Sequence, residues 1–376
     1  MSTTPTTPTS TSTADLDLLY TELEDDLRSS VSALLGARCD EHRVKAAYDG
    51  DDSLGKELWP ALAGELGLAA LLVPEEQGGA GASAREAAVV CEEIGRHCAP
   101  VPFLTSAVVA TTALLADGAT EAASALLGEL AVGERTAALV ASFVAGPGDA
   151  DGLGVRPGDQ VRSVAGALEA DVLLVPYAVD GGVELRAVPT DAVTVEPVVS
   201  LDMTRPLADV TVPEPTGEVV VPATAGVAAV RAALTTGAAM LASEQYGVAQ
   251  WCLTTSLAYL KERRQFGRVL GGFQALKHRL ADLYNEVESG AAAARYAAAA
   301  VAAGEDVEVG TAVAAAYCGD MAVHAAEEAV QLHGGIGMTW EHAAHHYLKR
   351  AKADQIGLGN PGAHRAAIAE LVDLPG

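Results

Sequence analysis

Hydrophobic periodicity along these 376 residues changes twice, from helical to strand-like and back, so the sequence predicts an α+β protein with a small β domain between two helical ones. A second observation supports this. Only 4% of the residues are aromatic while half are hydrophobic, so the cores must be built from Ala, Leu and Val, which favours close helix packing.

Residues 1–14 form a Ser/Thr/Pro tract without a basic start or an apolar core, which predicts a disordered tail rather than a signal peptide or a membrane anchor. Over 15–136, apolar residues recur three and four apart at Leu18, Leu19, Leu23 and Leu27, and again from Ala87 to Ile94. This spacing predicts amphipathic helices, broken at Pro60, Pro74, Gly78-Gly79 and Pro100/Pro102. Over 137–222 the pattern becomes short β-branched runs, Ala138–Ala141, Val172–Pro176, Val183–Val188 and Val210–Val212, separated by Gly, Pro and Asp. They predict a small, reduced antiparallel β domain. Over 223–376 helical periodicity returns in long segments, with breaks at Gly271-Gly272, Gly304 and Gly334-Gly335. The alanine-rich stretch 291–304 contains Arg295 and is too short to span a bilayer, so it reads as helix.

The formal net charge is −26, which argues against nucleic-acid binding. The five cysteines are odd in number and contain no C-x-x-C pair, so neither a disulfide framework nor a zinc site is indicated, and a reducing, cytoplasmic setting is expected. His342, His345 and His346 have spacings that could seat a metal, yet no second cluster of ligands accompanies them and no metal is expected.

Against this acidic background, six cations fall between 261 and 279: Lys261, Arg263, Arg264, Arg268, Lys277 and Arg279. Such an island suggests a bound anion, and the glycines at 267, 271–272 and 334–335 would let backbone amides approach it. Together they read as a site for a pyrophosphate-bearing cofactor. The alternative is that Arg263 and Arg264 cap a helix end stopped by Gly267.

From about Asp15 onward the chain resembles the acyl-CoA dehydrogenase family. Arg263-Arg-Gln-Phe-Gly267 with Phe273-Gln274 matches the family's Arg-x-x-Phe-Gly…Gln segment, and Gln331-Leu-His-Gly-Gly335 matches its Gln-x-x-Gly-Gly segment. Leu72–Gly79 is also typical. The resemblance implies a C-terminal four-helix bundle and a site for the ADP half of FAD, formed by Arg263, Gln265, Phe266, Gln274, Gln331, Leu332, His333, Gly334 and Gly335, with the flavin ring mostly in a neighbouring subunit. It also implies an acyl-CoA substrate and an electron-transfer acceptor.

Dehydrogenating an acyl thioester needs a positioned carboxylate to take the α-proton. The family places its Glu at one of two positions, which correspond here to Leu358 and Gly237, so neither carries a carboxylate. Glu244 lies two turns beyond Gly237, about 10 Å along a helix, and is the remaining candidate base, although a structural ion pair is the more natural reading. Asp354 is a second, weaker candidate. The middle domain also departs from the pattern: residues 138–149 lack the expected Thr/Ser loop, no Trp occurs between 60 and 250, and the following strand pair looks shortened.

An intact ADP half beside an eroded flavin half resembles the base-lacking subunit of actinobacterial heteromeric acyl-CoA dehydrogenases, which implies a related partner chain in a heterotetramer and sterol side-chain or other bulky acyl-CoA substrates. Two other readings stay open. One is a self-sufficient homo-oligomer with a relocated base, acting on an acyl-CoA or acyl-carrier-protein thioester; the other is a flavin-free scaffold of the same fold.

Overall fold

The computed structural model describes residues 16–374; the expected tail at 1–14 lies outside the described residues. Six helices come first: α1 (Glu22–Arg38), α2 (Glu41–Ala47), α3 (Ser53–Pro60), α4 (Ala84–His97), α5 (Thr111–Leu114) and α6 (Glu121–Ala131). Their starts are written in the sequence. Thr21 and Ser83 form capping boxes with Glu24 and Glu86, and Asp40 and Thr120 cap α2 and α6 with their side chains.

Pro60 is where the α-helix stops, as the spacing predicts. The coil continues as a wider turn over Ala61–Glu65, closed by Leu66 N donating to Ala61 O at 3.1 Å. The wider spacing absorbs the missing proline N–H.

The middle strands are β1 (Ala137–Leu139), β2 (Gln160–Ala165), β3 (Val172–Val179), β4 (Gly182–Pro189), β5 (Thr194–Val198), β6 (Leu207–Thr211) and β7 (Glu218–Val221). They form two sheets, ordered β1-β3-β4-β7 and β2-β6-β5. The expectation of a purely antiparallel domain is corrected at one pairing, since β1 runs parallel to β3 with Ala137 opposite Val172. The chain leaves β1, crosses to the second sheet to form β2, and returns in the original direction. The apolar run of β3 reflects its inner position, whereas β5 lies at an edge, largely exposed, where Pro197 costs no ladder bond.

The C-terminal part begins with α7 (Gly226–Glu262), whose 37 residues extend for about 55 Å. A short hairpin, β8 (Arg264–Gln265) and β9 (Arg268–Val269), leads to α8 (Gln274–Ala303), and α9 (Val307–His333), α10 (Ala344–Ile356) and α11 (Pro361–Leu371) follow. Helices α7, α8 and α9 pack together, and α10 and α11 complete the bundle against α9. α7 is long and apolar enough to cross a membrane, but it is the buried axis of the molecule, enclosed along most of its length.

With so few aromatics, α4 and α7 approach until their backbones touch. A Cβ on Gly247 would lie 1.9 Å from Glu92 O, and one on Gly95 would lie 2.0 Å from Glu244 O. No side-chain rotation relieves a clash with backbone, so the helices would have to separate. Gly247→Ala is therefore expected to destabilise the protein by about 1–3 kcal/mol, read as a lower urea midpoint at unchanged slope; an unchanged midpoint would show that this crossing is not tight.

Candidate functional site

The cationic island sits at one end of the bundle. α7 ends at Arg263, and the hairpin turns through Phe266 and Gly267 with φ of 51° and 76°, a left-handed pair that Gly267 makes possible. Leu270 N donates to Arg263 O at 2.8 Å and closes the turn, and Gln274 opens α8. α9 ends beside it, where the rings of Tyr259 and His333 lie 4.5 Å apart, and Gly334 leaves the helix at φ 64°.

Arg263, Gln265, Phe266, Gln274, Gln331, Gly334 and Gly335 are all exposed on this end. A side chain added at Gly267, Gly334 or Gly335 would meet nothing, so the backbone there is open to a ligand. Leu332 and His333 instead turn into the bundle, where His333 Nδ1 donates to Ala329 O at 2.7 Å. Of the six cations only Arg279 is ion-paired among the described residues, to Glu328 at 2.8 Å. Five uncompensated cations with open glycine backbone fit a pyrophosphate group.

The two positions where a base is expected meet in space. A Cβ on Gly237 would lie 3.0 Å from Leu358 Cδ1 and 2.8 Å from Val109 Cγ2. Leu104, Val109, Leu139, Phe143, Leu234 and Leu358 close around a space of about 30 Å³, in which Thr105 and Ser142 supply the only side-chain hydroxyls and no carboxylate is present. That is room for about one water.

The closure has specific parts. Leu358 N donates to Phe143 O at 2.7 Å, His364 Nε2 donates to Leu358 O at 3.0 Å, and Leu358 is held at φ 52°. Arg205 lies over the Phe143 ring at 5.3 Å. The loop expected to face a flavin is folded back onto the turn expected to carry the base.

Glu244 lies elsewhere, in a buried cluster of charge. Arg205 Nη2 donates to its two oxygens at 2.8 and 2.7 Å, and Arg350 Nε donates at 2.7 Å. Arg350 also bonds Asp202 at 3.1 Å and Thr204 Oγ1 at 2.8 Å, while Tyr48, at the end of α2, donates to Asp202 at 3.1 Å. Arg205 bonds Asp354 as well. None of the five charged side chains is more than 8% exposed, and neither Glu244 nor Asp354 lines the closed cavity.

Three carboxylates face two guanidiniums. Burial, with Glu244 adding repulsion against the pull of Arg205, pushes the Asp354 carboxyl up to about 7, and its Oδ2 has no hydrogen-bond partner. A proton on Asp354 makes the cluster neutral. Asp202 shifts the other way, because Arg350 and Thr204 outweigh its burial.

Asp202, Arg205, Arg350 and Phe143 are functional-site neighbours that the sequence does not single out. One signal was present: Arg350 and Asp354, four apart, are buried on the same helix as Ala351 and Tyr347. His342, His345 and His346 stack among Tyr48, Trp251 and Trp340, and burial pushes His345 down to about 4. No group of three or more His, Cys, Asp and Glu among the described residues is arranged to hold a metal.

Residues 21–134 match the acyl-CoA dehydrogenase N-terminal domain and residues 224–372 the C-terminal domain. The acyl-CoA dehydrogenase IpdE2 of Mycolicibacterium smegmatis is 34% identical over 335 residues, 89% of this chain and 94% of the relative. IpdE2 of Mycobacterium tuberculosis is 36% identical over 89% of this chain and 92% of its own length. Among solved structures, a variant of the Tcur3481-Tcur3483 steroid ACAD aligns with TM-score 0.81 and 29% identity over 94% of this chain and 98% of that one. The ChsE4-ChsE5 complex of Mycobacterium tuberculosis aligns with TM-score 0.80 and 25% identity over 96% of this chain and 100% of that one.

The raised Asp354 has a measurable sign. The folded chain keeps a proton that the unfolded chain loses above about pH 4, so stability from this group is full below that pH and is lost as pH rises through about 7. Relative to Asp354→Asn, the wild type should lose up to about 1.4 kcal/mol per pH unit across that window, read from urea midpoints. Parallel profiles would show Asp354 to be ionised in the fold.

Proposed function

Because the chain belongs to the acyl-CoA dehydrogenase family, we propose that it is the base-lacking subunit of a heteromeric, FAD-dependent acyl-CoA dehydrogenase. It lends its cationic end to the ADP half of a shared FAD site, and a related partner chain supplies the flavin pocket and the carboxylate base. The observation that carries this reading is the meeting of Gly237 with Leu358 in a closed apolar space.

A flavin bound at the shared site would supply the hydride acceptor for the β-carbon of the acyl chain, and an electron-transfer acceptor would reoxidise it. Arg263, Gln265, Phe266 and Gln274, with Gln331, Gly334 and Gly335, would hold the pyrophosphate and its flanking groups from their exposed positions. Leu332 and His333 would support that loop from beneath. Phe143 and Leu358 leave this chain's own cavity room for about one water and none for a flavin ring. A bulky, steroid-like acyl-CoA is the favoured substrate class, because the Tcur3481-Tcur3483 relative is named a steroid ACAD. Two-component relatives likewise favour a partner over a homo-oligomer. A reducing cytoplasm suits five free, buried thiols.

The self-sufficient reading would require Glu244 to take a substrate proton. Both Glu244 oxygens are already engaged by Arg205 and Arg350, and the side chain has no path into the cavity beside Leu358. The flavin-free reading leaves five unpaired cations beside open glycines without a purpose.

Purified alone, the chain should carry little FAD, and copurified with its partner it should hold one FAD for each pair of chains, measured by flavin absorbance after denaturation. Full loading of the solitary chain would reject the shared site. In the assembled complex, Arg263→Ala should remove a contact of about 1.5–3 kcal/mol and weaken FAD about ten- to a hundredfold, with circular dichroism unchanged. Unaltered affinity would reduce Arg263 to a helix cap.

A further inference from the structure

A separate cavity of about 360 Å³ opens where the N-terminal helices meet the bundle, between the α1–α2 turn, the end of α4, the middle of α7 and the start of α10. It shares no residue with the cationic end or with the closed space around Leu358. Its volume falls in the range of small-molecule sites.

One wall is aromatic and flat. Trp251 and Tyr347 stack with ring centroids 3.5 Å apart and planes 5° from parallel. The thiols of Cys39 and Cys98 complete the lining, and burial pushes Cys39 up to about 12 and Cys98 well above the usual thiol range, so both stay neutral.

Two polar atoms here lack partners. His346 is 3% exposed, burial pushes its imidazole down to about 3 so that it is neutral, and its Nδ1 makes no hydrogen bond. The Nε of Arg96 is likewise buried without a hydrogen bond, its nearest acceptor the Glu93 carboxylate at 3.6 Å. Such atoms are costly to leave unpaired. Arg96 can only donate, so a ligand that bonds it brings an acceptor. Asp40 and Glu41 are exposed and also line the site, where they favour N–H donors and repel anions.

We propose that this cavity binds an uncharged, planar heteroaromatic molecule of nucleobase or nucleoside size, stacked against the Trp251–Tyr347 pair and hydrogen-bonded to His346 and Arg96. Stacking selects a flat ring, and the two unpaired atoms select one that carries ring acceptors. The rim carboxylates select a ligand with amino donors and no phosphate. Water alone would bond the polar atoms but would leave the aromatic and sulfur walls wetted.

Adenosine is the probe, with AMP as its charged counterpart, titrated by calorimetry into the full chain. Adenosine should bind saturably, and AMP more weakly at low salt. Intermolecular nuclear Overhauser effects should join its ring protons to Trp251 and Tyr347, a readout that stands even if a variant fails to fold. Trp251→Leu and His346→Leu should each weaken binding about tenfold or more, while FAD loading of the assembled complex stays unchanged. No saturable binding, equal affinity in both folded variants, or displacement of adenosine by FAD would overturn the assignment. The last outcome would place the nucleoside at the cationic end, and the FAD measurements themselves stand apart from all three.

Discussion

The buried cluster of Asp202, Arg205, Glu244, Arg350 and Asp354 is the interaction on which the rest of the structure depends, because it joins all three parts of the chain. Arg205 comes from the loop between β5 and β6, Glu244 from α7, and Arg350 with Asp354 from α10, while Tyr48 closes the cluster from α2. Buried ion pairs add little net stability against a well-packed apolar alternative, but they penalise every arrangement that leaves one charge alone. Here they fix how the middle domain sits on the bundle. Arg205 then lies over Phe143, Phe143 bonds Leu358, and Leu358 seals Gly237. The closed cavity is thus a consequence of domain docking rather than of local collapse.

Two sites of opposite character result. The end bearing Arg263 and Gly334 is open and cationic in a chain of net charge −26, which is the electrostatic signature of a surface waiting for an anion. Ile336, Met338 and Trp340 are exposed beside it, as is Phe266, so apolar surface accompanies the charge. The space between Phe143 and Leu358 is closed and apolar. The two sites differ in what they can accept, and the proposed split between an ADP half and a flavin half rests on that difference.

How much of this was legible depended on distance along the chain. The glycine turn at 334 is local, set by residues next to one another, and the sequence places it between helices, whereas the strand pairing at 264–269 is not foreseen because two-residue strands carry no periodic signal. The helix breaks at Gly271-Gly272, Gly304 and Gly334-Gly335 are legible for the same reason. β2, β5 and β7 escaped because they are short edge strands, β2 and β5 broken by polar residues and β7 only four residues long, and the parallel β1–β3 pair because its partners are 35 residues apart. Glu244 was legible as a packed residue, yet its partners lie 39 and 106 residues away, and nothing local names Arg205 and Arg350.

The turn at Leu358 shows why the missing base is not a small defect. A leucine at φ 52° costs on the order of 1–2 kcal/mol, which its packing against Val109, Leu234 and Gly237 offsets. The backbone path is kept by Phe143 O and His364, so the position still aims a side chain at the place where a base would act. A carboxylate set there would enter a cavity without cations, where desolvation disfavours its charged form and no room remains for a substrate. Loss of the Glu and closure of the cavity are therefore mutually reinforcing: each makes the other tolerable, and neither is undone by a single substitution. On the proposed reading, that coupling assigns catalysis to a partner chain.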